Sequence, residues 1–89
     1  MKTLSEILKS KREAAGLSQG DVAGKLNYST PQFVSNWERG LSAPPMYALK
    51  KLAHLYNIED EELFQALLQH NIDRVTRDLK KKFYGNKKR

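Results

Sequence analysis

Between Tyr28 and Gly40 the chain reads YSTPQFVSNWERG, and within it Gln32 and Asn36 stand four residues apart. A carboxamide holds a donor and an acceptor side by side, so Gln or Asn can meet adenine as a bidentate partner, donating to N7 and accepting from N6. At 100° per residue a helix brings Gln32 and Asn36 back to one side with Phe33 near them, while Val34 and Trp37, three apart, share the other. One face is apolar enough to pack and the other is furnished to read. The same pattern fits a solvated surface helix. What separates this stretch from that simpler case is its short length and the apolar helix pattern and tight turn LNYST that precede it.

No other constellation points to chemistry. His54 and His70 are sixteen residues apart, with no third ligand or nucleophile placed to join them. The EDEE run at residues 59–62 lacks the alternating spacing and glycine of a calcium loop and reads as a charge cluster at a helix start. Cysteine is absent, which removes disulfides and thiolate metal sites. The expectation is a binding protein rather than an enzyme, with no cofactor.

At 89 residues the chain has room for one core. Its formal charge of +6 suggests a polyanionic partner, and the distribution is uneven: residues 1–73 hold eight Lys/Arg against nine Asp/Glu, and residues 74–89 hold eight against one. Basicity is therefore a property of the C-terminal end. The segment KKKFYGNKKR reads either as a solvated terminus or as an arm that gains affinity for phosphates through counterion release, without reading sequence. No apolar run reaches the roughly 20 residues of a membrane span, and charges interrupt the N-terminal MKTLSEILKSKRE, unlike a signal peptide. A cytoplasmic protein with no membrane contact is expected.

Helices are predicted throughout. TLSEILKSKREAAG opens with Thr3 and Glu6 in capping-box spacing, gathers Leu4, Ile7, Leu8 and Ala15 on one face, and stops at Gly16. LSQGDVAGKLN offers Ser18 as N-cap, with Leu17 and Val22 as a hydrophobic staple and Val22, Ala23 and Leu26 facing inward. Thr30 is placed to cap a third helix running from about Pro31 to Arg39, with Pro31 in its first turn, where the missing N–H costs nothing. After the proline loop LSAPP, a fourth helix gathers Met46, Leu49, Leu52, Ala53 and Leu55. The remainder is acidic at its start and basic at its end, and reads as one long helix or two. Leu63, Phe64, Leu67 and Leu68 are expected to close the core, Ile72, Val75, Leu79 and Phe83 continue an apolar stripe, and the last few residues read as unstructured.

The segment LSQGDVAGKLNYSTPQFVSNWERGLSAPP resembles the helix-turn-helix of the Cro and phage-repressor (Cro/C1-type, XRE) family, with the similarity running from about Leu4 to Leu67. It is carried by LSQ opening the second helix, by the small Ala23 where two helices cross, and by ERG ending the third. The resemblance implies an all-α, five-helix lambda-repressor-like domain at residues 1–69, with residues 70–89 as a helical extension and basic tail. It implies a sequence-specific transcriptional regulator that binds operator DNA as a homodimer, commonly as a repressor, with the third helix in the major groove. Carried over by position, Thr30, Gln32, Phe33 and Asn36 stand at base-reading positions, with Phe33 either against a thymine methyl or covering the turn. Ser18, Gln19, Tyr28, Ser29 and Arg39 are candidates for the phosphate backbone, Gln19 also buttressing a recognition-helix amide, and Arg12 and Glu38 match a pair bridging helices one and three.

Three features depart from the pattern. The turn from Leu26 to Val34 is one residue longer than usual. Gly20 and Gly24 lie inside helix two, each at a cost on the order of 1 kcal/mol relative to Ala, so either that helix is marginal until DNA docks or bare backbone lets phosphates approach. The extension beyond His70 supplies the third, because Ile72, Val75, Leu79 and Phe83 suit either intramolecular packing or a dimer seam. An alternative reading keeps the fold and makes the protein an antitoxin or adaptor whose C-terminal segment holds a partner protein such as a toxin.

Overall fold

The computed structural model describes residues 2–85. Among them are five α-helices and no strand: α1 (Leu4–Ala14), α2 (Gln19–Lys25), α3 (Gln32–Glu38), α4 (Met46–Leu55) and α5 (Asp60–Tyr84). The last residues of the basic tail, read from sequence as unstructured, lie outside this range. No helix among the described residues is long and apolar enough to cross a membrane.

Local sequence explains where the helices begin. Thr3 Oγ1 accepts from the Glu6 amide while Glu6 Oε1 accepts from the Thr3 amide, a closed capping box. Ser18 and Asp21 repeat the device on α2, at 2.9 Å in each direction. The bond from the Ser18 amide, with the Ser18 hydroxyl second, holds the Asp21 carboxyl below its ordinary pKa. For α3 the expectation is corrected by one residue. Pro31 itself is the N-cap, no side chain caps the helix, and Thr30 Oγ1 accepts weakly from the Gln32 amide at 3.3 Å. Pro31 still supplies the first helical carbonyl, to Ser35 at 2.9 Å, so the difference is one of boundary.

Four helices end the same way. Gly16, Asn27, Gly40 and Asn57 all have φ between 56° and 77°. After each, the next amide reaches back to a carbonyl of the last turn, as in Leu17 to Arg12 and Leu41 to Asn36. This is the Schellman closure, which needs a residue that tolerates the left-handed region. Gly16 and Gly40 announce it in sequence; Asn27 and Asn57 do the same work less visibly.

The core gathers Leu4, Ile7 and Leu8 from α1, Val22 and Ala23 from α2 with the adjoining Leu26, Val34 and Trp37 from α3, Ala48, Leu49 and Leu52 from α4 with Tyr56 and Ile58 just beyond it, and Leu63 and Ala66 from α5. α1 packs against α3 and α5, and α2 against α3. Several sequence expectations of burial are corrected. Ala15 is exposed because it lies past the last turn of α1. Met46 is exposed because the buried face of α4 is centred between Leu52 and Tyr56, about 110° away from it. Phe64 and Leu68 are exposed because α5 meets the core along Leu63 and Ala66, which turns them about 130° and 170° away from the midline of that face. α5 continues unbroken to Tyr84, so the expected boundary at residues 69 and 70 falls within a helix, and every described residue after His70 is exposed.

Candidate nucleic-acid interface

α3 is held by its inner face. Val34 and Trp37 are 1% and 3% exposed, and the edge of Tyr28 meets Trp37 at a centroid distance of 6.0 Å. Gln32 and Phe33 are exposed on the opposite side, with Asn36 half-buried beside them. There Gln32 Nε2 donates to Asn36 Oδ1 at 3.0 Å, and Arg39 Nη2 donates to the same oxygen at 2.9 Å. The three side chains form a polar ladder at spacings of four and three along the helix. With its oxygen already accepting twice, Asn36 must exchange one of these bonds to engage a base in bidentate fashion, whereas Gln32 enters this ladder only as a donor and keeps its carbonyl oxygen for a base edge.

Phe33 lies against the turn. Its ring is 5.1 Å from that of Tyr28 at an interplanar angle of 48°, yet 54% of the residue remains exposed, leaving an apolar edge beside Gln32. The Tyr28 hydroxyl pairs with the Tyr47 hydroxyl at 2.7 Å, tying the turn to the start of α4. This bond, with some desolvation, pushes the Tyr28 hydroxyl pKa up to about 12. Ser29 and Thr30 are exposed in the turn, Ser18 caps α2, and Arg39 stands exposed at the end of α3.

Beneath this surface lies a polar cluster joining four segments. Arg12 Nε donates to Glu38 Oε2 at 2.6 Å, Arg12 Nη2 to Glu38 Oε1 at 3.0 Å, and Arg12 Nη1 to the Leu17 carbonyl at 2.8 Å. Gln19 Nε2 adds a third donor to Glu38, at 3.0 Å on Oε1. Glu38's side chain is 3% exposed and Arg12's 11%, so this is a bidentate fork out of solvent with its remaining groups satisfied. The hydrogen bond to Glu38 outweighs desolvation and raises the Arg12 pKa further. Tyr56 is driven upward chiefly by burial and secondly by the Glu38 charge, with Arg12 opposing. The cluster fixes α1, the α1–α2 turn, α2 and α3 relative to one another, and so sets how α3 is presented. Gln19 buttresses Glu38 rather than a carboxamide of the outer face.

The structure thus brings Gln32, Asn36 and Arg39 together on one surface, sets Phe33 with Tyr28 beside them, and gathers Arg12, Gln19 and Glu38 below. Sequence reasoning missed Asp21, although its spacing from Ser18 signals a capping box. It also missed Tyr47 and Tyr56, for which no local pattern exists because their partners are distant in the chain.

Residues 8–63 match the model of the helix-turn-helix family. The chain is also similar to the HTH-type transcriptional regulator ImmR of Bacillus subtilis (strain 168), with 38% identity over 61 residues, covering 68% of this chain and 47% of that protein. It therefore spans about half the length of the curated relative it matches. No solved structure matches the chain.

Proposed function

Since the chain belongs to the Cro/C1-type helix-turn-helix family, we propose that it is a sequence-specific DNA-binding regulator of transcription that inserts α3 into the major groove. The observation that carries this reading is the outer face of α3. Two carboxamides and a guanidinium stand in a row there, on a helix whose opposite face is locked by Val34 and Trp37. Gln32 and Asn36 read base edges, and Phe33 offers its exposed edge to a thymine methyl, with Thr30 assisting. Ser18, Gln19, Tyr28, Ser29 and Arg39 position the phosphate backbone, and the basic C-terminal residues add sequence-independent attraction.

In this reading residues 1–69 are the DNA-binding unit and residues 70–89 the extension. The protein is a cytoplasmic homodimer, and it represses by occupying an inverted repeat whose half-sites lie roughly 34 Å apart. Binding measured on a preferred duplex and on random DNA tests the assignment. Gln32→Ala or Asn36→Ala is expected to weaken the preferred duplex by about 1 to 3 kcal/mol and to leave random DNA nearly unchanged. Equal losses on both would remove the base-reading role.

A further inference from the structure

Along its length α5 carries six large apolar side chains that no other part of the described fold covers: Phe64, Leu68, Ile72, Val75, Leu79 and Phe83, between 41% and 72% exposed. At 100° per residue they occupy an arc of about 100°, centred nearly opposite the Leu63 and Ala66 face that meets the core. The stripe therefore points away from its own domain. Its spacings are four, four, three, four and four, the same read in either direction.

We propose that this stripe is the seam of an antiparallel homodimer in which two α5 helices pair about a twofold axis between Asp73 and Arg74. This extends the dimer invoked above, and its test needs no DNA, so the two ideas can fail separately. The reversed spacing brings Phe64 against the partner copy of Phe83, Leu68 against Leu79, and Ile72 against Val75, three layers each used twice by the symmetry. Charge selects this orientation over the parallel one. α5 opens with Asp60, Glu61 and Glu62 and closes with Lys80, Lys81 and Lys82. Antiparallel pairing sets the acidic start of one helix toward the basic end of the other and opposes their dipoles favourably. Parallel pairing would set acid beside acid and lysine beside lysine. Because the core face of α5 is opposite the seam, the two domains lie on the outer sides of the pair, with the Ala66 positions about 22 Å apart along the axis.

The chain has no cysteine, so single substitutions give a clean crosslinking assay on the 89-residue chain. Leu68→Cys and Leu79→Cys chains are treated with a short thiol crosslinker, separately and after mixing. The expected result is a dimer in sedimentation and coupling several-fold stronger in the mixture than in either chain alone, since Leu68 lies about 16 Å from its own copy along the axis. The pair Gln69→Cys and Thr76→Cys, which keeps all six seam side chains, is expected to couple more strongly in the mixture than Gln69→Cys does alone, since Gln69 lies about 14 Å from its own copy along the axis. A wild-type protein that stays monomeric at hundreds of micromolar overturns the proposal and leaves the stripe to another partner. Self-coupling of the Leu79→Cys chain at the level of the mixture overturns it in favour of parallel pairing.

Discussion

Glu38 receives three hydrogen bonds while almost wholly out of water, and removal of one partner from such a pair leaves a charge uncompensated. Arg12→Met is accordingly expected to destabilise the protein by about 3 to 5 kcal/mol, whereas Arg12→Met combined with Glu38→Met costs much less, because no buried charge remains. Denaturant unfolding of the two variants checks this, and equal losses would contradict it. Tyr28 supplies a pH signature. Its pKa rises from 10.0 to about 12 in the folded chain, so the unfolded chain gives up the proton first. The stability contributed by the Tyr28–Tyr47 hydroxyl pair is whole below pH 10 and declines as pH rises toward 12. Tyrosinate absorbance is expected to show two late-titrating groups, Tyr28 and the buried Tyr56, of which one moves back toward 10 in Tyr47→Phe. Two late groups persisting in that variant would assign the shift elsewhere. Tyr56→Phe removes the other late group and so separates the two.

At the scale of the elements, α2 is the short helix with two interior glycines. A Cβ at Gly24 would meet nothing within 4 Å, and one at Gly20 would make only ordinary contact with Ser18 Oγ at 3.7 Å. Packing therefore demands neither glycine. Gly24→Ala is expected to raise stability by roughly 0.5 to 1 kcal/mol through helix propensity, read as a higher thermal midpoint. Unchanged or lower stability would show a constraint at Gly24 that free space does not explain. Helix limits were the most legible part of the chain, because they are written in short-range chemistry: Thr3 with Glu6, Ser18 at α2, Gly16 and Gly40 at the ends. The closures at Asn27 and Asn57 were harder, since Asn enters the left-handed region without advertising it as Gly does. Helix faces misled where two apolar stripes share one helix. On α5, Leu63 and Phe64 are neighbours in sequence and on different sides in space, and only the position of the core decides which is buried. Gln32 and Asn36 were legible as an outward pair from spacing alone. Their bond to each other and the Arg39 contact depend on rotamers that spacing does not specify.

For the whole molecule, charge and shape divide the labour along the chain. The segment through Asp73 is nearly neutral, and the excess of Lys and Arg belongs to the residues after it. In the proposed function specificity belongs to the outer face of α3 and general attraction to the C-terminal end, with different expected consequences: loss of a base contact alters which duplex is preferred, and loss of basic residues weakens all duplexes alike. The matched family region, residues 8–63, stops near the start of α5. The rest of that helix lies outside the match, with its exposed stripe as the physical reason to expect assembly. The central claim is that α3 presents Gln32 and Asn36 to base edges, and the most direct measurement is selection of bound duplexes from a random pool, run in parallel on the wild-type chain and on Gln32→Ala. The account predicts an enriched inverted repeat for the wild type, with the preference relaxed at one position of each half-site in the variant. A pool that enriches no motif, or a motif unchanged by the substitution, would contradict it.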